Sequence, residues 1–293
     1  MVRVRRSRWC ALGVAALFAM STAVPAAAAP AVPAAAAPAV LPTPASSAGV
    51  AASYRTEGGE DTWTKTLKLD RPLAGWRIAL DAGHNGGNVE RTTRMYQQVS
   101  DGRGGSKICN TAGTTSLSGY PEHAFTFDVT ARLTAQLEGL SATVLLTRED
   151  DDGVGPCVDV RGRFAEDSDA DLLLSLHANG SSSPAAAGFF AITASPAISP
   201  SQEAPSEALA AAMVVTLTAA GFAPSNVVQG AISERADLAT LNFARRPAVM
   251  LELGEMRNPA ESAVMSSEDG RQKYADALTD ALVDWARAHP LGS

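Results

Sequence analysis

The sequence predicts an α/β fold, in which a single domain holds a mostly parallel, twisted sheet flanked by helices. Short apolar runs alternate with helical patterns along most of the chain, as expected for successive strand–helix–strand units. The runs "ADLLLSLHA" and "PAVMLEL" are apolar almost throughout, which is typical of central strands that are covered on both faces.

Five strands and four helices follow from these patterns. The predicted strands occupy residues 76–80, 142–147, 170–178, 188–193 and 247–253. A long helix is predicted from Glu122, because apolar residues recur there at helical spacing, at Phe125, Val129, Leu133, Leu137 and Leu140. The other predicted helices are 158–166, 205–220 and 268–288. Two long segments, 84–121 and 227–246, show neither pattern and are predicted to be functional loops.

The N-terminus has the features of a secretory signal. The stretch "MVRVRRSRW" carries four arginines and no acid, and it is followed by an apolar run and the small residues "PAAAA". This order predicts a signal peptide over residues 1–29, cleaved near Ala28 or Ala29. The apolar run is too short for a comfortable membrane anchor. We therefore expect export to the periplasm, cell wall or medium without stable membrane insertion, and Arg5–Arg6 leave a twin-arginine route open.

The segment after the signal is not expected to fold. The tract "PAVPAAAAPAVLPTPASSAGVAAS" has no charged or aromatic residue, so it cannot bury enough apolar surface to form a core. We assign residues 30–55 to a linker and residues 56–293 to one folded domain, which is long enough for a single core.

Charge and cysteine content limit the possible partners and redox state. The chain has 24 basic and 31 acidic residues; loss of the signal removes four arginines and leaves a net charge of −11. An acidic surface of this kind argues against nucleic acid or anionic lipid as the main partner. The two remaining cysteines, Cys109 and Cys157, favour a disulfide in an exported protein. Two zinc thiolates are the alternative, but these cysteines form no C-x-x-C pattern.

Polar residues follow three of the predicted buried strands. His84 comes just after the first strand, His177 lies at the end of the third, and Glu252 lies at the end of the last. Because the carboxyl ends of parallel strands share one edge of a sheet, where ligands bind, these side chains are expected to converge. Two histidines and one carboxylate with an open fourth position form a zinc arrangement used for hydrolysis. Glu122 can supply that carboxylate, and its neighbour His123 competes for the same role.

Four stretches of the sequence resemble a known family. "DAGHNGGN", "YPEHAFTFDV", "SLHANG" and "PAVMLELGEMRNP" are similar, in this order, to the four motifs of the zinc-dependent N-acetylmuramoyl-L-alanine amidases of the amidase-3 family. The resemblance covers residue 76 to about 288 and is greatest to compact actinobacterial members without a wall-binding domain. It implies a zinc-amidase fold, of phosphorylase/hydrolase-like type. It also implies a peptidoglycan hydrolase that cleaves the amide between the lactyl group of N-acetylmuramic acid and the L-alanine of the stem peptide.

The resemblance also implies residue roles. By motif position, one Zn²⁺ is held by His84, Glu122 and His177, and Glu252 is the base that takes a proton from the attacking water. Glu255 stands where the family pattern has a Phe, which leaves its share in the acid–base chemistry open.

Three further residues are weaker candidates. Asp81 is expected either to orient a ligand imidazole or to cap the glycine turn. Asn179 and Arg161 are candidates for contacts with substrate, although Arg161 is rather expected to pair with Asp159 or Glu166 on an exposed face.

Two other functions stay open at the level of sequence. One is a zinc peptidase that acts within stem peptides, and the other is a non-catalytic wall-binding protein. In each case the expected partner is peptidoglycan or a muropeptide fragment, and the expected state is a monomer.

Overall fold

The computed structural model describes residues 71–291. The predicted signal peptide, the linker and the first residues of the predicted domain lie outside this range. Within it, no helix is both long enough and apolar enough to cross a membrane.

A six-stranded sheet forms the centre of the fold. Its strands are β1 (Arg77–Ala82), β4 (Thr143–Leu146), β5 (Leu172–Asn179), β6 (Phe190–Ala194), β7 (Ile232–Arg235) and β8 (Ala248–Glu255); β2 (Gln98–Ser100) and β3 (Ser106–Ile108) form a separate antiparallel hairpin. The order of the strands in the sheet is β4-β1-β5-β8-β6-β7. β6 runs antiparallel to β8, and the other pairings are parallel. The predicted mostly parallel sheet is confirmed.

Helices cover both faces of the sheet. They are α1 (Thr92–Met95), α2 (Glu122–Gly139), α3 (Val158–Asp167), α4 (Glu203–Ala219), α5 (Ala239–Phe243), α6 (Pro259–Ser266) and α7 (Glu268–Ala288). The predicted apolar stripe of α2 faces the core, where Phe125, Val129, Leu133 and Leu137 are fully buried. This larger core lies between the sheet and α2, α4 and α7. A smaller core on the other face of the sheet includes Ala165 of α3 and Leu241 of α5.

The prediction was wrong in part for the two long segments. Residues 84–121 contain α1 and the β2–β3 hairpin, and residues 227–246 contain β7 and α5. β7 escaped prediction because it is a four-residue edge strand, "ISER", with one apolar residue. An edge strand needs a ladder on one side only, and polar residues at an edge prevent further pairing.

A disulfide joins the hairpin side of the molecule to α3. Cys109 follows β3 and Cys157 is the N-cap of α3, and their sulfurs are bonded. The backbone amide of Val158 also donates to the carbonyl of Cys109 at 2.8 Å. The predicted pairing is therefore present, and it fixes the part of the first long segment just after β3 at the start of α3.

A buried ion pair fastens the end of β1. Arg161 on α3 donates to Asp81 Oδ1 at 2.6 Å, and both side chains are almost fully buried. Thr147 and Ser175 donate to the same carboxylate, each at 2.6 Å. Burial alone would raise the pKa of Asp81, but the Arg161 charge and these two hydrogen bonds outweigh it and lower the pKa to about 2.

We expect loss of the disulfide to destabilise the fold. A cross-link over a loop of this size stabilises by about 2–4 kcal/mol, mainly by restricting the unfolded chain. The variant C109S/C157S should therefore show a lower urea midpoint than the oxidised wild type. Added reductant should lower the wild-type midpoint and leave that of the variant unchanged. Equal midpoints for variant and oxidised wild type would contradict the prediction.

The Asp81–Arg161 pair should make stability depend on pH in acid. Because the folded pKa of Asp81 lies below its ordinary value of 3.8, its contribution is complete above about pH 5. That contribution is lost as the pH falls through about 2.

Asp81→Asn leaves a buried guanidinium unpaired and should cost about 3 kcal/mol near neutrality. In urea titrations, the difference from wild type should shrink by about 2 kcal/mol between pH 5 and pH 2. The exposed Asp169, which pairs with Arg246, offers the control Asp169→Asn, for which a constant small difference is expected. A pH-independent cost for Asp81→Asn would refute the assignment.

Candidate active site

A cavity opens at the carboxyl ends of β1, β5 and β8, which are neighbours in the sheet. Its volume is about 420 Å³. Its floor includes His84, Glu122, His177 and Glu252. The rest of its lining includes residues of β3 and the segment after it, together with the end of the β7–α5 connection and the start of α5. The predicted convergence of residues distant in sequence is therefore found at the expected edge of the sheet.

Three side chains meet in one cluster on the cavity floor. His84 Nε2 and His177 Nδ1 each lie 3.1 Å from Glu122 Oε1, and the two ring nitrogens lie 3.2 Å apart. All three side chains are at least four-fifths buried. Within the described residues, this is the group of His, Cys, Asp or Glu side chains whose ligand atoms are close enough to hold one metal ion.

The backbone of His84 is held in an unusual conformation. Its φ is +60°, a left-handed value that is uncommon for a residue with a side chain and is frequent at functional sites. Its Nδ1 lies 2.9 Å from the carbonyl oxygen of Thr111. A carbonyl can only accept, so Nδ1 carries the proton and Nε2 presents its lone pair to the cluster. Asn88 donates to the same carbonyl at 2.7 Å, which gives the tail of "DAGHNGGN" a supporting role.

Glu122 is fixed at the N-terminus of α2, after the extended Pro121. Its Oε2 accepts from the Thr114 amide at 2.8 Å and its Oε1 accepts from the Ala178 amide at 3.0 Å. Burial alone would raise the pKa of Glu122, but His84 and His177 outweigh it and hold that pKa below its ordinary value. Glu122 in turn raises the pKa of His84 against the opposing effect of burial. The Glu122 carboxylate thus favours positive charge on the groups that face it.

Two glycines make room for the cluster. A Cβ on Gly83 would lie 2.5 Å from the His177 ring, and a Cβ on Gly113 would lie 2.8 Å from both Glu122 Oε2 and the His84 ring. Gly113 also has a φ of +78°, which favours glycine at that position. Neither position tolerates a side chain without displacing one of the three clustered residues.

Glu252 lies beside the cluster because β8 pairs with β5. It stands directly opposite His177 in the register of the two strands. Its Oε2 is buried and has no hydrogen-bond partner among the described residues. Burial raises the pKa of Glu252 well above its ordinary value, and repulsion from Glu122 and Glu255 adds to this effect. Glu252 therefore binds a proton more tightly than an ordinary glutamate, and its Oε2 is available to accept one.

The donor set of the cluster fits a zinc ion. Two imidazole nitrogens and one carboxylate oxygen match the ligands of hydrolytic zinc sites, which leave a fourth position open. Donors bonded at 2.0–2.1 Å to a tetrahedral ion lie about 3.3 Å apart, close to the 3.1 and 3.2 Å found here. The Thr111 carbonyl that fixes the His84 tautomer is the usual partner of a metal-bound histidine.

His123 does not enter the cluster. Its Nδ1 lies 2.6 Å from Asp151 Oδ2, so the ring is turned away from Glu122, as expected for neighbouring positions on a helix.

The prediction for Arg161 was wrong. It does not pair with Asp159 or Glu166 on an exposed face; Asp159 accepts from Arg163 instead. Arg161 is 2% exposed, and its five N–H groups reach five acceptors beneath the site. These are the carbonyls of Pro156, Ala82 and His84, together with Asp81 Oδ1 and Asn85 Oδ1. Sequence neighbours suggested a local ion pair, whereas four of the five acceptors lie 76–80 residues away in the sequence.

Asp81 and Asn179 also have partners other than those expected. Asp81 accepts from Arg161, Thr147 and Ser175, and Thr111 rather than Asp81 orients the His84 ring. Asn179 donates to Glu255 Oε1 at 2.6 Å. The Ser181 amide donates to Glu255 Oε2 at 3.0 Å, so buried Glu255 fixes the turn after β5.

Several residues at the site were not found from sequence. Thr111 and Thr114 act through backbone groups, so their side-chain types gave no signal. Arg148 is buried and donates to the carbonyls of Ala82, Gly83 and His123. Its position just after a predicted strand, at the same edge of the sheet as His84, was the available signal.

Comparisons with known proteins agree with this geometry. A family model described as N-acetylmuramoyl-L-alanine amidase matches residues 78–284. The N-acetylmuramoyl-L-alanine amidase Rv3717 of Mycobacterium tuberculosis is 42% identical over 208 residues, which cover 70% of this chain and 84% of that protein.

Solved structures agree as well. The N-acetylmuramyl-L-alanine amidase Ami1 of Mycobacterium smegmatis is 39% identical with a TM-score of 0.71, over 74% of this chain and 99% of that one. The apo form of Ami1 from Mycobacterium abscessus is 39% identical with a TM-score of 0.70, over 73% and 99% of the two chains. With the family match spanning β1 to α7, the chain belongs to the N-acetylmuramoyl-L-alanine amidases, hydrolases that cleave the amide joining muramic acid to L-alanine in peptidoglycan.

Proposed function

We propose that this amidase is zinc-dependent, with His84, Glu122 and His177 as ligands of one ion and Glu252 as the proton acceptor. One observation carries the proposal: three ligand atoms lie within 3.2 Å of one another, and a carboxylate with an unpartnered oxygen lies in the same cavity. The zinc peptidase and wall-binding alternatives have no observation of their own in their favour.

The proposed role of each residue follows from its environment. A bound zinc ion supplies Lewis acidity, which lowers the pKa of water and polarises a carbonyl. His84 and His177 contribute imidazole nitrogens, and Glu122 contributes a carboxylate that its partners keep ionised. The Thr111 carbonyl holds the His84 ring, and the Thr114 and Ala178 amides hold the Glu122 carboxylate, so little reorganisation of these groups is needed during reaction.

Glu252 moves the proton. It takes one proton from the attacking water, whose oxygen bonds to the amide carbon, and it returns that proton to the leaving nitrogen when the C–N bond breaks. The products are the lactyl carboxylate of muramic acid and a peptide with a free L-alanine amine. The raised pKa of Glu252 supports this role, because a base must hold the proton between the two transfers.

The remaining parts of the proposal concern the setting of the reaction. We propose that residues 1–29 direct export, that residues 30–55 link the signal to the domain at 56–293, and that the mature enzyme is a monomer. Its substrate is then peptidoglycan or muropeptide fragments outside the cytoplasm.

Digestion of defined muropeptides tests the reaction. Zinc-loaded protein should release intact stem peptides with a free L-alanine amine, and a chelator should abolish the release until zinc is restored. Mass spectrometry of the products separates the alternatives, since fragments cut within the peptide would identify a peptidase. Binding without any product, with zinc confirmed in the protein, would identify a wall-binding protein.

Glu252→Gln should abolish turnover and preserve the metal. The amide cannot accept the water proton, so kcat should fall by about 10²–10⁴-fold, while zinc content, measured by atomic emission, stays at one per chain. Loss of zinc from this variant would mean that Glu252 is a ligand and not the base.

Gly83→Ala should weaken metal binding. The new methyl group would lie 2.5 Å from the His177 ring and push it out of the cluster, so zinc affinity should fall by about 10–100-fold. Gly139→Ala is the matched control, since a Cβ there meets nothing within 4 Å. Competition with a fluorescent chelator measures both variants, and equal affinities would contradict the proposed role of Gly83.

A further inference from the structure

One wall of the active-site cavity carries a cation that the proposed reaction does not use. Lys107 is on β3, is partly exposed and lines the cavity. Its Nζ donates to the backbone carbonyl of Asp237, in the connection between β7 and α5. An ammonium has three N–H donors, so this contact positions the charge at the wall and leaves donors for a ligand.

The second permanent cation of the cavity is fully engaged. Of the described residues that line the cavity, Arg161 is the other one with a permanent positive charge. All five of its donors have acceptors within the protein, as described above. Lys107 is therefore the lining cation that can respond to a charge on the substrate.

The chemistry of the substrate says which part would meet this cation. In N-acetylmuramoyl-L-alanine the carboxyl group of muramic acid is consumed in the amide that is cleaved, so the sugar offers hydroxyl and acetamido groups but no carboxylate. The carboxylates of a muropeptide belong to the peptide, at acidic residues or at the chain end. A cation in the cavity therefore indicates the peptide side.

We propose that Lys107 is a specificity-determining residue that binds a carboxylate of the peptide, on the L-alanine side of the cleaved amide. The inference rests on the proposed amidase function of the same cavity. It also orients the substrate, with the peptide along the wall formed by β3 and the β7–α5 connection.

The two walls of the cavity differ in the way this orientation requires. The contact between Lys107 and Asp237 brings together Lys107, Ile108, Leu238 and Ala239. The ammonium also interacts with the nearby carboxylates of Asp237 and Asp101, and the apolar surface beside it suits an alanine methyl and peptide stem. The lining next to the cluster is formed by Thr111, which contacts His84, and Thr114, which contacts Glu122. Gly180 belongs to this second part, since a Cβ there would lie only 2.2 Å from Thr114 Oγ1. This second part is polar and uncharged, as a sugar with neutral hydroxyl groups requires.

Substrates that differ by one charge test the proposal. The first two substrates are N-acetylmuramoyl dipeptides that differ only in the carboxyl group of the second residue, which is free in one and a carboxamide in the other. The other two are tripeptides in which that group is amidated and only the carboxyl group of the third residue differs. The two pairs therefore distinguish the two sources of the carboxylate. We expect the zinc-loaded full chain to prefer the free acid in one pair by about tenfold in kcat/KM, mostly through KM, which is the scale of a hydrogen bond to a charged group.

Variants at Lys107 then assign that preference. Lys107→Met should reduce the ratio of acid to amide to about one, and Lys107→Arg should restore most of it. Lys273→Met is the matched control, because Lys273 lies over the Phe222 ring in a separate cavity, and it should keep the wild-type ratio. Calorimetric binding of the same substrates to Glu252→Gln, with and without Lys107→Met, should show the same ratios without turnover.

Three outcomes would overturn the inference. One is a wild-type enzyme that cleaves acid and amide equally, and another is a Lys107→Met variant that keeps the preference. The third is a Lys107→Met variant that loses activity equally on all four substrates with a lower unfolding midpoint, which would mean that Lys107 only tethers β3 to Asp237. Failure of the wild type to cleave any of the four would instead refute the proposed amidase function.

Discussion

The active site depends on two buried guanidinium groups that hold the turn after β1. His84 can face the cluster because its backbone is left-handed. In this turn the carbonyls of Ala82, Gly83 and His84 accept hydrogen bonds from side chains, and the Thr126 hydroxyl donates to that of Gly83 at 2.8 Å. Arg161 donates to the first and last of them and Arg148 to the first and second. Buried carbonyls without donors would each be costly. Asp81 and Asp151 balance the two charges. Burial, opposed by Asp151, lowers the pKa of Arg148 only to about 10, so Arg148 remains charged at neutral pH.

The same cavity holds two carboxyl groups in opposite electrostatic settings. Glu122 faces two imidazoles and two backbone amides, and its pKa is lowered; Glu252 has a buried oxygen without a partner and two acidic neighbours, and its pKa is raised. Groups whose surroundings move their pKa values apart are suited to different tasks. The separation arises from the sheet itself, because Glu122 reaches in from a helix N-terminus while Glu252 lies on a strand beside His177.

Local pattern predicted the elements that carry the chemistry, and it missed those that support them. The sheet strands other than β7, helix α2, and the positions of His84, His177 and Glu252 follow from apolar periodicity and from the shared edge of parallel strands. The choice of Glu122 over His123 follows from the family resemblance. Arg161 could not be placed in the same way. Its sequence neighbours Asp159 and Glu166 offered a plausible exposed pair, and only the fold reveals that Asp81 lies closer. Thr111 and Thr114 use backbone groups, which every residue type possesses. β7 and α5 are short and partly polar, so their structure comes from packing against β6 and α3 rather than from their own pattern.

The disulfide connects two parts of the cavity lining that lie far apart in the sequence, since its cysteines are 48 residues apart. Cys109 follows directly after Lys107 and Ile108, which line the peptide wall, and Cys157 caps the helix that bears Arg161. The hairpin would otherwise be a two-stranded element, and such hairpins are marginally stable alone. The covalent link, with the contacts of Asn242 to the Asp101 carbonyl and to Arg103, gives this hairpin a fixed position against α3 and α5. The wall that selects the substrate is thereby anchored to the same helix that shapes the turn of His84, so that recognition and chemistry share one rigid support.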